Sequence, residues 1–160
     1  MKYIINERQY KLLTEQEDIL RIPFKVFDNN WEILQKFLEQ RGFPPYEIMD
    51  NLDLSESDVK SLGNLTSVGG SLDLRYCEIE DFGNLTSVGG DLILYESNIK
   101  SLGSLTSVGG YLDLRFSGIQ SLGNLTSVGG DLDLGKTPLS REYSEDEIRS
   151  MVEVGGKVYL

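Results

Sequence analysis

The stretch SLGNLTSVGG stands at residues 61–70 and again, unchanged, at residues 121–130. DFGNLTSVGG at 81–90 and SLGSLTSVGG at 101–110 lie between them, so the chain repeats every twenty residues. A unit this short cannot enclose its own apolar side chains and has to stack on copies of itself, which makes the chain a solenoid.

Within a coil the inward set reads Leu62, Leu65, Val68, Leu72, Leu74 and Ile79. The alternation of the L-x-L segments predicts parallel strands at 52–55, 72–75, 92–95, 112–115 and 132–135, with the SLGNLTSVGG stretch as the irregular arc between them. Placing Leu52 over Leu72 puts Ile48 over Val68 and Val59 over Ile79, so a degenerate first coil begins near residue 44. A last strand is hidden in the tail: V-G-G-K-V-Y-L from Val154 repeats the pattern of Val128, but 26 residues on. The added length holds Ser144-Glu145-Asp146-Glu147, a capping box, followed by Ile148, Met151 and Val152 at helical spacing.

Both ends of the array need covering, because an end coil exposes core side chains and unpaired strand edges. Residues 28–42 predict a helix with N-cap candidates from Asp28 to Asn30, an apolar stripe of Trp31, Leu34, Phe37 and Leu38, and a stop at Gly42. This is read as the N-terminal cap. Upstream, Asn6 and Gln9 resemble a capping pair for a short helix carrying Ile5, Tyr10 and Leu13, and Leu20, Ile22, Phe24 and Val26 alternate as in an edge strand interrupted by Pro23. The division is thus 1–43 extension and helical cap, 44–139 repeats, and 140–160 capping helix with the last strand.

Composition excludes several functions. Histidine is absent and Cys77 is the single cysteine, which removes the commonest general base, the ordinary zinc sites and any internal disulfide. No cofactor is expected. The net charge is −11, most of it in the repeats, which repels nucleic acid and anionic membrane and makes a basic partner the better match. The first residues, MKYIINERQYKLL, lack a signal-peptide core, so a cytoplasmic location is expected and the Asn-Leu-Thr sequons at Asn64, Asn84 and Asn124 are read as repeat consensus.

Leu72-x-Leu74-x-x-Cys77-x-Ile79-x-x-Phe82 resembles the leucine-rich-repeat signature, and the twenty-residue period is similar to the short bacterial class. Leu-Thr-Ser-Val-Gly-Gly-x-Leu also resembles receptor L-domain repeats and repeat proteins of bacteriophages. The resemblance covers about residues 44–139 and the last strand. It implies an α/β solenoid with one parallel sheet of about six strands, irregular arcs and helical caps at both ends, and it implies protein binding without catalysis. Two departures stand out: the Asn or Cys ladder is Ser57, Cys77, Ser97, Ser117 and Thr137, expected to bond turn amides, and Gly-Gly stands where a leucine is usual, which predicts a tight or bulged approach to each strand.

In so regular a repeat, positions that differ between copies were not set by packing. They fall into four outward columns: Asn51, Ser71, Asp91, Tyr111, Asp131; Asp53, Asp73, Ile93, Asp113, Asp133; Ser55, Arg75, Tyr95, Arg115, Gly135; and Glu56, Tyr76, Glu96, Phe116, Lys136. Arg75, Tyr76, Ile93, Tyr95, Tyr111, Arg115 and Phe116 share the middle of this face with the composition of an interaction hot spot, and Tyr95, Arg115, Phe116, Tyr111 and Arg75 are the expected anchors. The competing reading has the arginines merely neutralising aspartates. Asp53 with Asp73, and Asp113 with Asp133, are weak candidates for a cation.

The expected function is a non-catalytic module that binds a protein, preferably a basic one, through the strand face. The alternative is an acidic mimic of nucleic acid that occupies a DNA-binding protein. An exposed final strand also offers a route to a homodimer. The hydroxyl row of Thr66, Thr86, Thr106 and Thr126 is assigned to local bonding, and Cys77 to the core.

Overall fold

A computed structural model describes residues 19–160. The short helix expected around Tyr10 and Leu13 lies outside the described residues. The element order is β1 (Leu20–Ile22), a 3-10 turn (Phe24–Phe27), α1 (Trp31–Glu39), β2 (Tyr46–Ile48), β3 (Leu52–Asp53), β4 (Leu65–Val68), β5 (Leu72–Asp73), β6 (Ser87–Val88), β7 (Leu92–Ile93), β8 (Ser107–Val108), β9 (Leu112–Asp113), β10 (Ser127–Val128), β11 (Leu132–Asp133), α2 (Leu139–Glu142), α3 (Glu145–Met151), β12 (Glu153–Val154) and β13 (Val158–Tyr159).

The chain is a parallel β-solenoid with a twenty-residue step, and it has two sheets where one was expected. The first sheet has seven strands in the order β1-β2-β4-β6-β8-β10-β12; the second has six, in the order β13-β11-β9-β7-β5-β3. The stretch read as an irregular arc therefore supplies a sheet of its own. Its inward residues, Leu65 and Val68, are three apart and both buried, a spacing that hides strand character from a period-two pattern. The L-x-L strands are also shorter than expected, two residues each.

Register follows the repeat. Leu52 pairs with Leu72, Ile48 with Val68, Val128 with Val154 and Leu132 with Val158, so the degenerate first coil and the hidden last strand stand where the pattern placed them. Leu62, Leu65, Val68, Leu72, Leu74 and Ile79 are all essentially inaccessible, and the same set repeats coil by coil into one continuous core.

The Gly-Gly pairs form the corner between the two sheets. Gly89 N donates to Val68 O at 2.8 Å and Gly90 N to Gly70 O at 2.9 Å, so the ladder carries on round the bend. A Cβ on Gly89 would collide with Gly69 O, one on Gly109 with Gly89 O, and one on Gly129 with Gly109 O. These glycines are required by close backbone approach, with no side chain able to fit between coils stacked about 4.8 Å apart.

At the N-terminal end β1 pairs with β2 in parallel register, Leu20 with Tyr46 and Ile22 with Ile48. Among the described residues the array thus begins at Leu20, and α1 is carried between two strands of the first sheet. Asn30 caps α1 by accepting from Ile33 N at 3.1 Å. Phe37 on its buried face meets Phe27 at 5.0 Å between ring centroids. The strand expected to run on to Val26 stops at Ile22; the 3-10 turn that follows has a period of three, so Phe24 and Phe27 are buried while Val26 is only partly covered.

At the other end α2 and α3 occupy the interval between β11 and β12. Ser144 and Glu147 form the expected capping box, with Ser144 N donating to Glu147 Oε2 at 2.8 Å. Arg149, held by Glu145 at 2.9 Å, donates to Val154 O at 3.2 Å and Gly156 O at 3.0 Å. In the preceding coil the equivalent carbonyls, Val128 O and Gly130 O, accept amides of the next coil. Arg149 stands in for that coil and closes this edge of the first sheet.

Two outcomes follow. Gly109→Ala should destabilise the protein by roughly 2–3 kcal/mol in denaturant unfolding, whereas Gly118→Ala, where a Cβ would meet nothing closer than 3.4 Å, should change stability by less than about 1 kcal/mol. Arg149→Ala should leave the fold intact by circular dichroism but make the protein associate with rising concentration in sedimentation velocity, because two backbone acceptors on an edge strand are uncovered.

Candidate functional site

The four outward columns have different jobs. In the first, each side chain accepts the amide one coil on: Asn51 Oδ1 from Ser71 N at 2.9 Å, Ser71 Oγ from Asp91 N at 3.0 Å, Asp91 Oδ1 from Tyr111 N at 2.8 Å, and Asp131 Oδ1 from Lys157 N at 2.8 Å. These residues stitch coils together. Tyr111 interrupts the stitching and sends its hydroxyl to Asp133 Oδ2 at 3.4 Å.

In the second column each aspartate accepts the amide two residues on. Asp53 takes Ser55 N at 3.0 Å, Asp73 takes Arg75 N at 3.1 Å, Asp113 takes Arg115 N at 3.1 Å and Asp133 takes Gly135 N at 3.0 Å. This is the Asx turn, which bends the chain out of the strand. Ser55 Oγ also donates to Asp53 at 2.7 Å, and these bonds hold the Asp53 carboxyl below the usual carboxylate range. Asp53 pairs in register with Asp73, and Asp113 with Asp133, while Ile93 separates the two pairs.

The third column answers that charge. Arg75 forks onto Asp73, with Nε on Oδ1 at 3.1 Å and Nη2 on Oδ2. Arg115 forks onto Asp113 at 2.9 and 2.6 Å and reaches Asp133 at 3.6 Å. Asp113 is only 3% exposed, and the fork gives this buried carboxylate a hydrogen-bonded cationic partner. The carboxylates in turn hold both guanidinium groups above their ordinary range. The four aspartates are thereby committed to turn amides and arginines, and among the described residues no group of three or more acids or cysteines is placed to hold a metal ion.

The fourth column is the one the sequence reading did not explain. Glu56, Tyr76, Glu96, Phe116 and Lys136 all have φ between 53° and 64°, in the left-handed region. Glycine or asparagine is the easy occupant there, and another residue costs about 1–2 kcal/mol. None of the five is glycine or asparagine, and two are aromatic. Tyr76 is 50% exposed and Phe116 51%. Between them lies Tyr95 from the intervening coil, edge-on to Tyr76 at 5.6 Å and to Phe116 at 5.4 Å, with the Arg115 guanidinium 5.3 Å from the Tyr95 ring centroid.

The structure therefore brings Tyr76, Tyr95, Phe116 and Arg115 into direct contact. Tyr111 joins through Asp133, to which Arg115 also extends. Arg75 is pinned two coils before Arg115, and Ile93 lies in register between Asp73 and Asp113. The signal for the left-handed column was present in the sequence as an aspartate three residues ahead of four of its five members, the mark of a repeated Asx turn.

Other sequence candidates are structural. Thr86, Thr106 and Thr126 donate through Oγ1 to Thr66 O, Thr86 O and Thr106 O at 2.9–3.0 Å. In the small-residue ladder Ser117 Oγ donates to Leu114 O and Thr137 Oγ1 to Leu134 O, each at 2.7 Å, and Thr137 Oγ1 also accepts a backbone amide, that of Ser140 at 3.1 Å, the kind of bond expected. Both hydroxyls are buried beneath the left-handed turn, which leaves the carbonyl three residues back as the nearest acceptor. Cys77 is buried in the same ladder.

Comparison with protein-family models, with curated proteins and with solved structures finds no match. Among the described residues no helix is long and apolar enough to cross a membrane.

Burial, reinforced by Asp113 and Asp133, pushes the Tyr111 phenol up to about 12; burial alone does the same for Tyr46. An unfolded tyrosine ionises near 10, so between about pH 10 and 12 the folded state holds protons the unfolded state has lost, and stability falls as pH rises. Absorbance titration should show late-titrating phenols, one lost in Tyr111→Phe and one in Tyr46→Phe, each variant also losing less stability across that window than the parent.

Proposed function

We propose that this chain is a non-catalytic module that binds a protein partner through the second sheet and its left-handed turn. The observation that carries the reading is the fourth column. Tyr76 and Phe116 stand half exposed on backbone that glycine would occupy at lower cost, and strain of that kind tends to persist where a side chain has a use. Aromatic and arginine side chains are the residues that dominate binding energy at interfaces. Tyr95, Arg115, Tyr111 and Arg75 complete the surface as anchors. The kinship with short leucine-rich repeats of bacterial or bacteriophage type belongs to the same proposal and rests on the L-x-L strand with its small buried residue.

The nucleic-acid mimic is the less favoured reading. A mimic has to present free, regularly spaced anions, whereas Asp53, Asp73, Asp113 and Asp133 accept backbone amides and two of them are forked by arginine.

The left-handed backbone supplies an unusually clean test. Tyr76→Gly with Phe116→Gly removes both exposed rings at positions where glycine is comfortable, so the double variant should unfold within about 1 kcal/mol of the parent despite losing ring contacts with Tyr95. Capture of partners from native lysate should be lost in that variant and in Tyr95→Ala with Arg115→Ala. Capture that survives in both would sink the proposal, and capture that fades only with salt would favour the mimic.

A further inference from the structure

Resting on that reading of the face, we propose that what it grips is an arginine-rich segment of the partner, whose guanidinium groups stack on the outer surfaces of Tyr76 and Phe116 while Glu56 and Glu96 pair with them. The chain already contains one example of the contact. Arg115 lies 5.3 Å from the centroid of Tyr95, the ring that touches both Tyr76 and Phe116. A partner's arginine would do on the exposed rings what Arg115 does on the half-buried one.

Charge decides the sign of the partner. The left-handed column reads Glu56, Tyr76, Glu96, Phe116, Lys136 along the axis, so each exposed ring has the Glu96 position as a neighbour and Tyr76 is flanked on both sides by acid. Burial, and after it a hydrogen bond and the charge of Glu96, hold the Tyr95 phenol above its ordinary range, so a carboxylate stands at the edge of the aromatic cluster. The adjoining second and third columns carry four aspartates against two arginines, leaving net negative charge after the forks are formed. The face thus offers ring surfaces and unmatched carboxylates together, the combination that suits a cation able to stack. Arginine fits better than lysine because its planar, weakly hydrated guanidinium can lie on a ring and still donate sideways to a carboxylate. A second copy of this chain would bring the same acid to the same face, and the net charge of −11 opposes that pairing.

The probes are a short arginine-rich peptide, its lysine counterpart and its glutamate counterpart, each labelled and titrated with the full chain by fluorescence anisotropy at physiological ionic strength. The arginine peptide should bind tightest and the glutamate peptide not at all. Tyr76→Gly with Phe116→Gly should weaken the arginine peptide about tenfold, and Glu56→Gln with Glu96→Gln a few fold, with the lysine peptide less affected by loss of the rings. Equal binding of the arginine peptide to parent and ring variant would overturn the proposal, since the attraction would then be diffuse charge. If no basic peptide binds but the ring variant still loses capture of a natural partner, the arginine proposal fails and the binding face stands. If neither measurement responds to the rings, both fail.

Discussion

Everything in this molecule depends on backbone lying directly on backbone at the corner between its two sheets. Gly69 sits against Met49 O, Gly89 against Gly69 O, and so on to Gly155 against Gly129 O, with no room for a single extra carbon. Because the coils touch there, the glycine amides find carbonyls of the coil before, and the amide that follows is taken by a first-column side chain, as Ser71 N is by Asn51, so that hydrogen bonding between coils passes from one sheet into the other. The same contact explains the sameness of the repeats. A residue between two coils must suit the copy below and the copy above, so Leu, Thr, Val and Gly recur while only positions that point away from the stack can change.

Those free positions are themselves a product of the turn. An aspartate at the end of the strand accepts the amide two residues on, and the next residue is thrown into the left-handed region with its side chain outward. Repeated at the coil spacing, this manufactures a column of display sites on rigid backbone. Glycine in that column would ease the turn at every copy. The chain instead carries Glu, Tyr, Glu, Phe and Lys there, of which Tyr76 and Phe116 gain ring contacts with Tyr95.

Register was the most legible part of the fold, because a strict period transmits it: Leu52 over Leu72 and Leu132 over Val158 could be aligned by eye. Topology was less so. The Leu65–Val68 segment buries residues three apart, with Thr66 bonding a carbonyl of the coil before at 3.0 Å, so it carries no period-two signature although it pairs as a strand. The helix of residues 31–39 was visible from its stripe, but its place between two strands depends on β1, three residues beside a proline that alone read as the start of an edge strand. On the outward face of the second sheet the side chains that differ between copies stood out in the sequence, since variation against a constant background exposes them. Their roles were not. Asp53, Asp73, Asp113 and Asp133 look like free acids until their bonds to their own backbone are seen, and the first column looks like surface until Asn51, Ser71 and Asp91 are found holding the next coil.

For a face proposed to bind a partner, the freedom of its side chains matters. Ordering long side chains on association costs about 0.5–1.5 kcal/mol each, a loss that the contacts formed must offset. Here the cost falls largely in folding. Arg75 and Arg115 are already locked onto Asp73 and Asp113, Tyr95 is wedged between its two neighbours, and Tyr76 and Phe116 are held edge-on to it by backbone that has few other conformations open to it. The one residue of the first column that abandons its stitching role, Tyr111, is likewise tied through Asp133 to Arg115. Rigid aromatics and pinned guanidinium groups on a stack of coils form a surface whose geometry folding already sets. The glycine corner makes such a surface affordable, because a scaffold so tightly constrained leaves the outward columns free to depart from the repeat.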